Sequence, residues 1–220
     1  MKIDCVADLH GHKPNLPGGD LLIIAGDLTS RHTIREFELF VQWLNTLDYA
    51  HKIIIGGNHD TPLVKEGASL FKWAKDCQYL LDEGTEIESV SDCNRLKIWG
   101  TPWTPWFHGV NPNCKAFMKS DHDLQKYFNL IPEGLDILIT HGPMRHILDA
   151  NYDGYACGSQ ALREAVDRAR PRFHVFGHIH EQGNNQLMYK HEGLNTWCVN
   201  CSYVDENYKP VNSHYRIEIK

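Results

Sequence analysis

Lys2-Ile3-Asp4-Cys5-Val6-Ala7-Asp8-Leu9-His10 stands at the start of the chain. A short apolar run, the length of one buried strand, breaks off at Ala7 and gives way to an aspartate and, two residues later, a histidine. The same pattern recurs four times. The run 21–25 ends in Gly26-Asp27, and the run 52–55 in Gly56-Gly57-Asn58-His59-Asp60. The run 137–139 ends in Thr140-His141-Gly142-Pro143, and the run 173–176 in Gly177-His178-Ile179-His180. Five strand ends therefore deliver five polar clusters. In open α/β sheets the crevice beyond the carboxyl ends of the strands is where sites form, so clusters distant in sequence converge there. The glycines before Asp27, Asn58 and His178 are expected to let the chain turn sharply as it leaves the sheet.

Between these runs the period changes. Ile34, Phe37, Val41 and Leu44 share one helical face, and Leu162, Ala165, Val166 and Ala169 share another, with Ser159 as the cap and Pro171 as the stop. A further apolar run at 96–99 and strand-like segments at 195–204 and 214–219 complete the pattern. Strands alternating with helices, then a strand-rich end, predict an α/β domain with sheet covered by helices. The 220 residues fit a single domain over 1–220, undivided by repeats or a Pro/Gly/Ser-rich linker.

Composition narrows the function classes. A formal net charge of −6 argues against a broad footprint on polymeric nucleic acid. No apolar run approaches the roughly 20 residues that span a bilayer, so the expectation is a soluble, cytoplasmic protein. Seven cysteines, at 5, 77, 93, 114, 157, 198 and 201, make a poor disulfide framework and suit a reducing compartment. The one C-x-x-C, Cys198 to Cys201, lies in a β-branched and aromatic run and reads as buried strand: a redox pair would sit at a helix N-terminus, and a zinc site would need a second pair.

The clusters together supply two aspartates, one asparagine and four histidines of ligand type, Asp8, His10, Asp27, Asn58, His141, His178 and His180, with His59 left over. Seven ligands are too many for one cation. Two divalent cations about 3.5–4 Å apart, bridged by one carboxylate and a hydroxide, accommodate them. With neutral histidines such a core keeps about one net positive charge, which draws in a phosphate.

The ordered pattern Asp8-x-His10, Gly26-Asp27, Gly57-Asn58-His59-Asp60, Thr140-His141-Gly142, Gly177-His178-x-His180 resembles the calcineurin-like metallophosphoesterase superfamily. A narrower likeness, in 100–107, 140–143 and 170–181, is to the small metallophosphodiesterases that include animal brain-expressed members, some of which carry glycine at the position of His178. The resemblance implies an α/β fold of two packed mixed β-sheets flanked by helices. It implies that Asp8, His10, Asp27 and His180 hold one metal, that Asp27, Asn58, His141 and His178 hold a second, and that His59 faces the scissile phosphate as general acid. The implied reaction is hydrolysis of a small phosphate ester, most simply a phosphodiester of a nucleotide or other small molecule. A phosphomonoesterase, a dinucleoside polyphosphate hydrolase and a non-catalytic scaffold on the same fold are the rivals. Nitrogen and oxygen donors without thiolate suit manganese, iron, zinc, cobalt or nickel, manganese foremost.

The remaining nine histidines, 12, 32, 51, 108, 122, 146, 174, 191 and 214, read as surface or core residues, with His12 and His108 the exceptions because they lie near motif loops. Trp103, Trp106 and Phe107 either stack a base or pack a rigid Pro-rich loop on the core. Arg145 and Glu181, beside motif residues, either touch substrate or orient ligands.

Overall fold

A computed structural model describes residues 1–88, 95–107 and 114–219. The chain runs β1 (Lys2–Val6), β2 (Gly19–Ala25), α1 (Ile34–Leu44), β3 (Tyr49–Ile55), α2 (Thr61–Glu66), β4 (Cys77–Tyr79), β5 (Glu83–Glu88) and β6 (Arg95–Thr101). It continues through β7 (Thr104–Pro105), β8 (Met118–Lys119), α3 (Asp121–Phe128), β9 (Ile137–Thr140), α4 (Gln160–Ala169), β10 (Phe173–Phe176), β11 (Gln186–His191), β12 (Leu194–Asn200) and β13 (Tyr215–Glu218).

Two mixed sheets result. The first has the order β13-β1-β2-β3-β4, parallel except for the edge strand β13; the second has the order β11-β12-β10-β9-β6-β5, with antiparallel strands at both edges. A two-stranded ribbon of β7 and β8 lies apart. Strand side chains alternate between faces. Ile3 and Cys5 of β1, Leu21 and Ile23 of β2, and Ile53 of β3 meet Ile98, Ile137, Ile139, Val175 and Val199 of the second sheet in a shared core. The opposite faces are covered by helices. Val6, Leu22, Ile24 and Ile54 pack against Phe37, Phe40, Val41 and Leu44 of α1. Leu138, Phe176 and Cys198 pack against α3 and α4 through Leu124, Phe128, Leu162, Ala165 and Val166. The four layers explain why β9 and the 21–25 part of β2 read as unbroken apolar runs, since both faces are buried.

The helices begin where their side chains allow. Thr33 and Glu36 form a reciprocal capping box on α1, and Ser159 caps α4 by accepting from the Leu162 amide. The C-x-x-C pair is structural, as its strand context predicts: Cys198 and Cys201 are buried free thiols in different core layers, the former under α4 and the latter between the sheets.

One buried charge fixes the edge of the first sheet. Asp4 is fully buried on β1 and accepts from Tyr49 Oη at 2.5 Å and from Arg216 Nε and Nη2 of β13 at 2.7 and 2.8 Å. Asp4→Asn takes the charge out of these bonds and puts an amide donor against the guanidinium. The expected cost is about 1.5–3 kcal/mol of unfolding free energy, read by urea denaturation; a change within experimental error would show that the network contributes nothing net.

Candidate metal centre

Three of the five polar clusters leave the first sheet, after β1, β2 and β3, and two leave the second, after β9 and β10. The site lies where the two sheets meet. There the sheets are joined directly: the Ala7 amide donates to Cys201 O at 2.8 Å and the Tyr203 amide to Ala7 O at 2.9 Å. Gly177 N donates to His141 O at 2.9 Å, which ties the β9 and β10 ends to each other.

Asp27, 2% exposed, stands between two groups of donors. Its Oδ2 is 3.6 Å from His10 Nε2 and 4.0 Å from His59 Nε2, and its Oδ1 is 3.5 Å from His141 Nε2. The same Oδ1 accepts from the His59 amide at 2.8 Å. His10 Nε2 faces His180 Nε2 at 3.3 Å, and Asp8 Oδ1 lies 3.8 Å from His180 Nε2. Across Asp27, His141 Nε2 is 2.9 Å from Asn58 Oδ1. His178 packs its ring edge-on to His141, centroids 4.9 Å apart.

The donor chemistry fits a cation. Among the described residues Asp8 Oδ1 is buried at the centre without a hydrogen-bond partner, an uncommon state that an ion relieves. His141 Nδ1–H donates to Ala25 O at 3.0 Å, and His180 Nδ1–H to Asp205 O at 3.0 Å. A carbonyl only accepts, so Nδ1 is protonated in both rings and Nε2 is the nitrogen turned to the site, where an ion would displace any proton that Asp27 and Asp8 hold on it. Two imidazole nitrogens on one cation, each about 2.0–2.1 Å from it, stand about 3.0–3.4 Å apart, the spacing of His10 and His180. Among the described residues, Asp8, His10 and His180 form one group with donor atoms within 4.8 Å of one another, His10, Asp27 and His59 a second, and Asp8, Asp27 and His141 a third. His178 joins none of these groups but lines the same cavity.

The charges agree. Burial alone would raise Asp8, but the nearby His180 ring, with His141 behind it, outweighs burial and brings the carboxyl down to about 2. Burial of Asp27 is likewise outweighed by His141, His59 and His10, which hold it well below the usual carboxylate range. Burial pushes His10 down to about 4 and His178 to about 3, so both present lone pairs. Burial also acts downward on His141, yet Asp27 and Asp8 carry it up to about 9. Two buried carboxylates thus draw positive charge into the site, from a proton or from an ion.

The glycines act differently from expectation. Gly26 does take a left-handed φ of +92°, but the sharp turns fall on the functional residues themselves: Asp8 (φ 52°), His10 (42°), Asp27 (53°) and His178 (70°). Gly57 and Gly177 matter for closeness instead. A Cβ on Gly57 would stand 2.3 Å from Asp27 Oδ1, and one on Gly177 2.3 Å from Asp8 Oδ2.

Several supporting residues had no role in the sequence reading. Asp60 is fully buried and accepts from Leu28 N, Thr29 N, Thr29 Oγ1 and Gly57 N at 2.9–3.1 Å, stapling the β2 and β3 ends together. Ser202 Oγ donates to Asp8 Oδ2 at 2.5 Å. Tyr208 sets its ring edge-on to His10, centroids 4.7 Å apart. A cavity of about 150 Å³ opens onto the centre; Tyr208, Glu181 and Glu206 line it together with Asp27, Asn58, His59, His178 and His180. Only a polar loop around Asp205-Glu206-Asn207-Tyr208 could have hinted at Tyr208 and Glu206, and it carries no motif. His12 holds the Tyr208 carbonyl at 3.1 Å, a supporting role near the motif loops; His108 lies outside the described residues. His174 is buried packing that donates or accepts at Thr140 Oγ1, 2.8 Å away. Trp103 stacks on Tyr127 and donates to Asp82, which is the packing role.

Comparison with known proteins identifies the class. Residues 1–182 match the calcineurin-like phosphoesterase family, and the chain belongs to it. Membership is consistent with metal-dependent phosphoester hydrolysis, and the Asp and His groups above suit the divalent metals typical of that family. Metallophosphoesterase domain-containing protein 1 of Homo sapiens is 34% identical over 243 residues, covering 98% of this chain and 70% of that protein. Among solved structures, TT1561 of Thermus thermophilus superposes with a TM-score of 0.63 at 12% identity, over 91% of this chain and 89% of that one. The phosphopantetheinyl hydrolase of Mycobacterium tuberculosis does so with a TM-score of 0.58 at 16% identity, over 91% and 89%. At such identities these two likenesses speak for the fold alone.

The strain at His178 makes a test. A left-handed non-glycine residue costs roughly 1–2 kcal/mol, so metal-free His178→Gly is expected to be more stable than metal-free His178→Ala by about 1 kcal/mol, read by urea denaturation. Equal stability of the two variants would show that the backbone is not strained there.

Proposed function

We propose that this chain is a binuclear metal-dependent phosphodiesterase, one domain over residues 1–220, that hydrolyses a phosphodiester of a nucleotide or other small molecule. The observation that carries this reading is the placement of Asp27, one carboxylate with a separate group of nitrogen donors at each oxygen. In this reading Asp8, His10, Asp27 and His180 hold one cation, and Asp27, Asn58, His141 and His178 the other. Manganese, iron, zinc, cobalt or nickel suit these nitrogen and oxygen donors, manganese foremost. When bound, divalent cations supply Lewis acidity toward phosphoryl oxygens and acidify water. The cysteines among the described residues are free thiols, which suits the reducing cytoplasm.

The protein's own side chains do the rest. Asp8 and Asp27, ionised, set the charge of the site. His59 lines the cavity with its Nδ1 buried, which leaves Nε2 as the nitrogen facing substrate. Burial lowers its pKa, with Asp27 opposing, so an imidazolium formed there gives up its proton readily. We assign His59 Nε2 the proton delivered to the leaving oxygen. Tyr208 offers an aromatic wall to the leaving group. Glu181 and Glu206 at the same cavity favour a diester with a single negative charge over a monoester dianion or a polyphosphate, which like charges repel.

The test turns on leaving-group chemistry. An alkoxide needs a proton in the transition state, whereas nitrophenolate leaves well without one. His59→Asn is expected to retain its metals, to lose about 10²–10⁴-fold in kcat on a nucleotide diester, and to lose distinctly less on a nitrophenyl diester. Equal losses on the two substrates, or loss of a metal, would remove His59 from the acid role.

A further inference from the structure

Beside the centre, three more donors meet from three loops. His32 follows β2, His59 follows β3, and Cys114 precedes β8. Their donor atoms all lie within 4.8 Å of one another. We propose that His32, His59 and Cys114 form an accessory site for a thiophilic divalent cation such as zinc or cadmium, and that filling it withdraws His59 from proton transfer.

The placement is built, not incidental. Asn58, one of the residues at the centre, holds the third loop from both sides: its Nδ2 donates to Cys114 O at 3.4 Å, and its carbonyl accepts from Ala116 N at 3.2 Å. His32 sits at a left-handed φ of 57° and stacks nearly parallel on His59, with centroids 5.3 Å apart and planes 14° apart. Its Nδ1 lies 3.4 Å from Thr61 Oγ1. A proton on Nδ1 donated to that hydroxyl leaves the Nε2 lone pair directed at Cys114 Sγ, 3.6 Å away. That separation suits a shared cation: with metal–sulfur about 2.3 Å and metal–nitrogen about 2.0–2.1 Å at a tetrahedral angle, the two donors stand about 3.6 Å apart. His59 brings the third donor and, among the described residues, a buried Nδ1 without a partner. Water completes the fourth position.

The donor set selects the cation. Asp8, His10, Asp27, Asn58, His141, His178 and His180 offer only nitrogen and oxygen, whereas Cys114 offers sulfur, which prefers zinc and cadmium to manganese or magnesium. Binding breaks the Cys114 S–H bond: sulfur and His32 Nε2 each give a lone pair to the cation, and the proton passes to water. One divalent cation enters, one proton leaves, and nothing is oxidised or reduced. A cation on either ring nitrogen of His59 prevents that ring from becoming imidazolium, the form that donates. This inhibitory consequence rests on the acid role proposed above; the site itself does not.

Cadmium alone is the probe, added to the 220-residue chain, because a cadmium–thiolate bond absorbs in the near-ultraviolet while nitrogen and oxygen ligands stay silent there. The expected result is a charge-transfer band in the wild type that Cys114→Ser loses, together with one more equivalent of bound cadmium in the wild type than in Cys114→Ser. His32→Ala, which keeps the thiol, is expected to weaken the binding that produces the band by about tenfold or more. In parallel, excess zinc is expected to inhibit nucleotide diester hydrolysis by the wild type and to require at least about tenfold higher concentration in Cys114→Ser. The same band and stoichiometry in Cys114→Ser, or unchanged affinity in His32→Ala, would overturn the site whether or not the protein hydrolyses diesters. A lost band with unchanged zinc sensitivity would keep the site and overturn its hold on His59.

Discussion

Everything at the centre is arranged around the Asp27 carboxylate. It is buried where two sheets meet, it receives the His59 amide, and its two oxygens face His10 on one side and His141 on the other. An ionised carboxylate in such a place is costly unless compensated. The compensation comes from histidines of both sheets and, in the proposed holoenzyme, from two cations. The need to bring these partners together explains why the ends of β1, β2, β3, β9 and β10 must meet. It also explains why Gly57 has no side chain, since a Cβ there would collide with Asp27 itself.

The frame that holds this arrangement is as much polar as apolar. Three apolar layers give the four-layer fold its bulk, but they are non-directional and leave the strand ends free to shift. The ends are fixed by hydrogen bonds: Asp60 joins the loops after β2 and β3, Ser202 holds Asp8, and the main chain of Ala7 ties β1 to the segment after β12. Left-handed backbone at Asp8, His10, Asp27 and His178 concentrates strain where the chemistry is proposed to occur, with the surrounding bonds keeping it in place.

How much of this was legible in the sequence follows from what each element buries. Strands covered on both faces, such as β1 and β9, show as apolar runs, and helices with one apolar face, α1 and α4, show their period. The edge strands β5 and β11 each bury a single side chain among those described, Ile87 and Tyr189, so neither pattern signals them. The short helix α3 buries only Leu124 and Phe128. Residues of the metal centre announced themselves because they sit at fixed offsets from strand ends. Tyr208, Glu206, Ser202 and His32 reach the cavity or its neighbours through loop geometry, which no spacing encodes. His32 read as an ordinary surface or core histidine, yet it stacks on His59.

The most direct test of Asp27 as the shared ligand is a count of metal. Wild-type protein and Asp27→Ala, both purified after loading with manganese, are measured for bound metal per chain by elemental analysis, with circular dichroism as the check on folding. A folded Asp27→Ala that retains at most one equivalent, against two in the wild type, is the expected result. A folded Asp27→Ala that retains two equivalents, with turnover near that of the wild type, would contradict the bridging carboxylate and with it the binuclear centre.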